Sequence, residues 1–348
     1  VALPRSARYT GRAWEGDIVS YEAVGLGNAI MDALVRVDDS VIAELGLNRG
    51  QMHPVNHATW HAAYEHVHKH GVEVYSGGSC ANTIQTMGLL GAKVLYCGQI
   101  GDDAFGEMYA RSMLEVCGVH ALKTTDAHVT GKCLSLVSTR DGERTMLTDL
   151  GAAVHLPSIG DFAEQIRRAR VLHLTGYLFL GGPVRDAAFE AAEVARAAGV
   201  PISLDVADPF VARTITDDIR MLLEKYVDIC FLNREEAEVV TGRPAHLAVE
   251  HLANWCPTAV VKLGGEGSLV RQDGVTHRIP VFPVQVADTT GAGDAYAGGF
   301  LYGWLNGWPA ERAGELGSRV AALTVAQVGA VCRDRVAVGE ARTAVVER

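Results

Sequence analysis

The sequence predicts an α/β fold: a mainly parallel central sheet covered by helices on both faces, with a small β-rich lid inserted into it. Three observations predict it. Short apolar runs recur along the chain, helical stretches separate them, and two turn-rich segments interrupt that rhythm. Strands that alternate with helices lie parallel to one another and are buried on both faces, so they read as near-continuous apolar runs.

Taken in order, Val1 to Gly16 precede the first run and read as an N-terminal extension (1–16). Ile18 to Leu26, IVSYEAVGL, reads as a buried strand stopped by Gly25, Gly27 and Asn28. Thr83 to Leu90 reads as a helix, and Lys93 to Ile100 as the next strand. Val171 to Leu174, Ile202 to Val206, Ile229 to Leu232 and Ala259 to Leu263 are further strands, flanked by helices such as Arg185 to Ala198 and Glu235 to Val240. Ala33 to Val74 holds polar turns and a helix-like stretch but no βα unit. Thr130 to Thr148 reads as two strands, GKCLSLVST and ERTMLTD, joined by Arg140-Asp141-Gly142. Asp-Gly between alternating runs is a strong hairpin signal. The expected organisation is an α/β domain from 17–33, 75–129 and 149–348, with a discontinuous lid from 34–74 and 130–148. No internal repeat is present.

Composition narrows the function classes. The chain has 348 residues, 48% hydrophobic, enough for a large core. A formal charge of −10 leaves no basic excess to neutralise phosphates, so a nucleic-acid partner is not expected. Seven scattered cysteines without a C-x-x-C pair argue against disulfides and a thiolate zinc site, and fit a reducing compartment. No stretch stays apolar long enough to span a bilayer. A soluble cytoplasmic protein is expected, with no membrane partner.

The most informative segment is Ala287 to Phe300, ADTTGAGDAYAGGF. Gly291-Ala292-Gly293 are small enough to let a phosphate approach the backbone, and the helix that follows starts with unpaired N–H groups carrying partial positive charge. That is an anion site. Asp294 at the same helix start repels phosphate, so its natural use there is to accept a proton from a hydroxyl in line with the phosphate. The plainer reading is a glycine-rich helix start with Asp294 capping N–H groups.

The longer string D-T-T-G-A-G-D-A-x-x-G-G-F resembles the second signature of the ribokinase-like (PfkB) carbohydrate and nucleoside kinases, and the resemblance runs from about Val24 to Arg333. Gly77-Gly78-Ser79-Cys80-Ala81-Asn82, continued to Glu107, looks like the first signature. Gly27-Asn28-Ala29-Ile30-Met31-Asp32 resembles the substrate motif, Asn233-Arg234-Glu235-Glu236 the N-x-x-E motif, and Lys262 to Gly267 the nucleotide loop. The resemblance implies a ribokinase-like three-layer α/β/α domain with a lid. It makes the amides of Gly291, Ala292, Gly293 and Asp294 the anion hole, with Asp294 as base. Asn233 and Glu236 would hold Mg²⁺ with ATP, largely through water. The other reading of N-R-E-E is an exposed helix start with Asn233 as cap. Lys262, Gly264, Gly265 and Gly267 would lie along the ATP phosphates and sugar. Asp288, Thr290 and carbonyls near Gln327 to Gly329 match positions that coordinate K⁺ in relatives. On the acceptor side, Asp32 would take hydrogen bonds from two sugar hydroxyls, Asn28 and Asn82 would contact the same sugar, and Gly77-Gly78 would form a hinge. Arg144, on the lid hairpin, reaches substrate or phosphate, or is a solvated charge.

Other signals lead elsewhere and fail. Gly25-Leu26-Gly27 follows a strand but lacks the third glycine and the acid about twenty residues on that a dinucleotide site needs. No G-x-x-x-x-G-K-[ST] is present. His53, His57, His61, His66, His68 and His70 have no Cys or Glu to complete a familiar zinc pattern, which leaves a polar lid helix. The expected function is transfer of the γ-phosphoryl of Mg·ATP to a primary hydroxyl of a ribonucleoside. Adenosine is favoured because G-N-A-I-M-D and G-G-S-C-A-N look like the adenosine-kinase branch. A free sugar such as ribose is the alternative, and a catalytically silent nucleotide-binding regulator the alternative of another class. A monomer or a homodimer is compatible with the lid's strand edge.

Overall fold

The computed structural model describes residues 20–347; the extension 1–16 and residue Ile18 lie outside them. In chain order the strands are β1 (Ala23–Leu26), β2 (Ile30–Val37), β3 (Met52–Pro54), β4 (Glu73–Gly77), β5 (Val94–Gly101), β6 (Ala121–Thr125), β7 (Gly131–Ser138) and β8 (Arg144–Asp149). They continue with β9 (Leu172–Thr175), β10 (Ile202–Asp205), β11 (Ile229–Asn233), β12 (Thr258–Lys262), β13 (Ser268–Gln272) and β14 (Val275–Ile279). They form two sheets. The larger has the order β14-β13-β12-β11-β10-β9-β1-β5-β6 and the smaller β3-β8-β7-β2-β4.

The larger sheet is parallel from β6 to β12 and turns antiparallel at β13 and β14. That last hairpin turns at Asp273-Gly274, both in the left-handed region at φ 51° and 78°, which is the geometry a two-residue hairpin turn selects. Each central strand feeds two cores because successive side chains point to opposite faces. Val24, Leu95, Leu174, Leu204, Cys230 and Val261 enter one core, under helices that include Pro183–Ala198 and Ala245–Leu252. Ala23, Val94, Tyr96, Ile229, Phe231 and Val260 enter the other, under Ser79–Leu89, Ala104–Cys117 and Ala292–Leu305. The result is the sheet covered by helices on both faces that the alternation of strands and helices predicts, in the three layers the resemblance implies.

The smaller sheet has one covered face. Ala33, Val35, Val37, Leu134, Leu136 and Leu147 pack with Trp60, Ala63 and Val67 of the helix His57–Val67. Lys132 is buried in this layer, donating to Asp149 at 2.9 Å, with its ammonium 5.2 Å from the Trp60 ring centre. The intervening residues Asp32, Leu34, Arg144, Met146 and Thr148 are half-buried and belong to the opposite face by the same alternation. β2 starts at Ile30 and β4 runs to Gly77, so this sheet takes in the end of the G-N-A-I-M-D motif and the first glycine of G-G-S-C-A-N. The sequence places both in the larger domain, because nothing after Asn28 marks a change of sheet. His57, His61, His66, His68 and His70 are exposed, and among the described residues no group of three or more His, Cys, Asp or Glu could hold a metal. No helix among the described residues is long and apolar enough to cross a membrane.

Candidate active site

Parallel register brings the carboxyl ends of adjacent strands to one edge, where open α/β sheets place their ligands. Asp205 ends β10, Asn233 ends β11 and Lys262 ends β12, with Asn233 directly paired to Lys262. Lys262 donates to Asp205 at 2.6 Å. Burial works against its charge, but Asp205 and Glu236 outweigh burial and hold the ammonium above the ordinary lysine value. A Cβ on Gly293 would come within 2.9 Å of the Lys262 Nζ, so this cation lies against the start of the helix Ala292–Leu305.

That helix start is open. Gly291 caps it at φ 70°, no side chain caps it, and the amides of Gly291, Gly293 and Asp294 donate to no described residue. Gly291 has no substitute, since a Cβ would lie 2.1 Å from the Ala330 carbonyl oxygen. Asp294 sits in the first turn with its carboxylate turned to the segment 77–82, not to the helix amides. Ser79 donates to one oxygen at 2.6 Å and Asn82 to the other at 2.8 Å. Burial pushes Asp294 up to about 6, opposed by these two hydrogen bonds. A carboxylate with a pKa near the working pH is suited to taking a proton.

Asp32 faces this group from the smaller sheet. It accepts no hydrogen bond from a described residue, and burial lifts it to about 7 against the pull of Arg144, with Asp294 and Asp288 adding to the rise. Gly77 lies directly beneath it, because a Cβ there would be 2.0 Å from the Asp32 Oδ2. Gly78, at φ 92°, leaves no room either, with the Asn28 carbonyl 2.3 Å from where its Cβ would be. Asn28 donates to Ala153 at 3.2 Å while its side-chain oxygen is buried without a partner, and the Asn82 oxygen is likewise unpartnered. Buried acceptors without donors need a ligand or water to satisfy them. A free carboxylate and two free amide oxygens, all acceptors, match a ligand rich in hydroxyl donors. Gly77→Ala should therefore displace Asp32 and raise KM for the acceptor about 10–100-fold at unchanged ATP affinity, as loss of a charged hydrogen bond implies. Initial-rate kinetics in both substrates check it.

Beside this centre an open cavity of about 530 Å³ is lined by Asn233, Arg234, Glu235, Glu238, Lys262, Leu263 and Gly264. Gly265 and Gly267 fall outside that lining. Gly267 is required by its neighbour, since a Cβ would meet the Ile279 carbonyl oxygen at 2.0 Å. Asn233 caps the helix Arg234–Thr241 in a reciprocal box with Glu236, as the plainer reading of the motif has it. Glu236 is buried and lifted to about 7 by burial, which Lys262 opposes and Asp205 and Asp208 reinforce. Asp205 and Glu236 beside Lys262, with Asp208 near Glu236, leave a net negative charge that fits a hydrated Mg²⁺ held through water.

The K⁺ ligand set behaves differently. Both Asp288 oxygens already receive donors: the Thr290 amide at 2.9 Å, its hydroxyl at 2.7 Å and Arg144 on one, the Gly329 amide at 3.0 Å on the other. Burial pushes this carboxyl up, but these hydrogen bonds outweigh it and keep Asp288 below the usual range. With the Arg144 guanidinium seated on it, this carboxylate already has its counter-charge without an added cation. Three residues carry more than the sequence assigns them. Ser79 orients Asp294 and lies inside a quoted motif without a role there. Asp205 closes an apolar run, and a lone acid at a strand's carboxyl end is its only sequence signal. Arg144 is neither solvated nor free but paired with Asp288.

The chain is similar to known proteins over most of its length. The family pattern described as "pfkB family carbohydrate kinase" matches residues 51–334. The chain is 30% identical over 265 residues to a 5-dehydro-2-deoxygluconokinase of Geobacillus thermodenitrificans, covering 72% of this chain and 78% of that one. It is 27% identical over 332 residues to the adenosine kinase of Saccharomyces cerevisiae, covering 88% and 95%. The crystal structure of adenosine kinase from Sinorhizobium meliloti superposes with a TM-score of 0.85 at 33% identity, over 94% of this chain and 100% of that one.

Proposed function

Because this chain belongs to the pfkB family of carbohydrate kinases, phosphotransferases with an alcohol group as acceptor, we propose that it transfers the γ-phosphoryl of Mg·ATP to a primary hydroxyl of a ribonucleoside, adenosine foremost. The observation that carries the chemistry is the open helix start with Asp294 beside it, joined to the acceptor motif through Ser79 and Asn82. ATP occupies the cavity between Asn233 and Gly264. Asp32 takes two ribose hydroxyls and, with Asn28 and Asn82, sets the third toward Asp294. Asp294 accepts the hydroxyl proton as the new O–P bond forms and the bond to the β-phosphate oxygen breaks. The amides of Gly291, Gly293 and Asp294, with Lys262 held by Asp205, meet the charge on the moving phosphoryl group. Asn233 and Glu236 would hold Mg²⁺ through water, and the ion would supply charge to neutralise the phosphates.

The nucleoside reading is supported by the likeness to an adenosine kinase that spans nearly the whole of both chains. Leu34 and Met146 supply apolar surface on the same sheet face as Asp32, suited to a base. The second reading, a free sugar or sugar acid, is supported by relatives that phosphorylate 5-dehydro-2-deoxygluconate by their names. Against the acid stands Arg144, whose guanidinium is already engaged by Asp288. Seven free thiols, six of them buried, suit a reducing, ATP-supplied cytoplasm. The test is ADP release with adenosine, other nucleosides, ribose, fructose, 2-keto-3-deoxygluconate and 5-dehydro-2-deoxygluconate. Adenosine should lead in kcat/KM by at least about 100-fold, the discrimination expected when buried polar groups lose their partners. A sugar in the lead transfers the site to the second reading. Nucleotide binding without turnover on any acceptor makes the chain a silent regulator.

A further inference from the structure

We propose that the guanidinium of Arg144 is the resident cation of the transfer site, so that the loop feeding the helix start at Gly291 is held in shape by an internal charge and not by a monovalent metal ion. The proposal rests on the kinase reading for its functional meaning, but its geometry stands alone. Asp288 lies three residues before Gly291, and its side chain is only 5% exposed. A buried carboxylate needs a counter-charge and donors for its lone pairs. Here four donors reach it, and one of them carries a full charge. Thr290 closes a local turn onto one oxygen through its amide and hydroxyl, Gly329 brings the neighbouring loop onto the other, and Arg144 supplies the full positive charge.

A metal cation on the same carboxylate would have to evict a guanidinium, which is planar, permanently charged and weakly hydrated, and so suited to partly buried pairing. K⁺ offers no directional bond to offset that loss. The origin of Arg144 adds a second consequence. It stands at the start of β8 in the smaller sheet, whereas Asp288 precedes a helix of the larger domain. One ion pair therefore fixes the helix-start loop and ties the two sheets together over the site, with Asp32 within its electrostatic reach. An exchangeable ion could do the first and not the second.

The test compares KCl with choline chloride at equal ionic strength, on the full chain without substrates, by thermal unfolding. A site binding K⁺ near 10 mM would raise Tm by about 2 °C or more in 100 mM salt. The wild-type protein should show less than about 1 °C difference between the two salts, and crystals grown in RbCl should show no anomalous peak beside Asp288. Arg144→Gln should gain the K⁺-specific Tm rise and the Rb⁺ peak, because it leaves Asp288 without its charge. Arg144→Lys keeps a cation and should stay indifferent to the salt. A K⁺-specific rise or a Rb⁺ peak at Asp288 in the wild-type protein overturns the proposal, and so does an Arg144→Gln variant as indifferent as wild type. None of these readings needs turnover. A chain that behaves as described but releases no ADP refutes the kinase reading and leaves this one standing.

Discussion

Asp294→Asn is expected to lower turnover by about 10²–10⁴-fold while changing ATP affinity less than about threefold. The size follows from removal of a positioned base in an otherwise intact site. Asparagine keeps the shape and can still accept from Ser79, so the helix start and its free amides persist. The fold should gain from the change. A carboxyl whose folded pKa stands at about 6, above its unfolded value near 3.9, is penalised when ionised in the folded state. That penalty is complete above pH 6 and vanishes as pH falls toward 4. The variant should therefore be more stable than wild type at pH 7.5, by about 1–3 kcal/mol, and lose that advantage in acid. Calorimetric titration with ATP, initial rates and thermal unfolding at pH 7.5 and 4.5 check the three parts together. A variant that is both inactive and less stable would mean that Asp294 holds the fold.

Asp32→Ala should act on the other half of the site. Two charged hydrogen bonds to neighbouring hydroxyls are each worth about 1.5–3 kcal/mol. Losing both should cut kcat/KM for the acceptor by about 10²–10⁴-fold. The KM for ATP should stay near its wild-type value, because no contact of Asp32 reaches the Asn233–Gly264 cavity. The pairing of effects separates the variants: Asp294→Asn lowers kcat with either substrate saturating, whereas Asp32→Ala is partly overcome by more acceptor. An acceptor that lacks one of the two hydroxyls should lose on the wild-type protein about half, on a logarithmic scale, of what Asp32→Ala loses.

Most of the fold could be read from the sequence because it rests on local signals. Ile202 to Val206 and Ile229 to Leu232 are strands within a residue of their observed limits, since apolar runs of that length between helices have one place to go. Arg140-Asp141-Gly142 announces the β7–β8 hairpin in the same way. The same Asp-Gly signal stands at Asp273-Gly274 between β13 and β14, an antiparallel pair absent from the expected elements. What stayed hidden depends on distance. β3 is three residues long and exposed, without periodicity to betray it. The departure of Ile30 to Val37 from the larger sheet lies in its pairing with β4 and β7, which no local run encodes. In the site, the residues of each motif were legible, but their partners were not. Ser79 and Asn82 meet Asp294 across more than 200 residues, and Arg144 meets Asp288 across 144. Local pattern carries no record of such pairs. Gly267 adds a need the motif does not show: the Ile279 carbonyl behind it leaves no room for a side chain.

The central claim is that the Asp294 carboxylate, at an amide-lined helix start, removes the acceptor's proton. The measurement that reaches it most directly is kcat against pH, with Mg·ATP and acceptor both saturating so that Glu236 and Asp32 are already engaged, in wild type and Asp294→Asn side by side. The wild-type rate should fall on the acid side with a midpoint of about 6, where burial places Asp294, and the residual rate of the variant should lack that limb. The same acid limb in both proteins would contradict the claim.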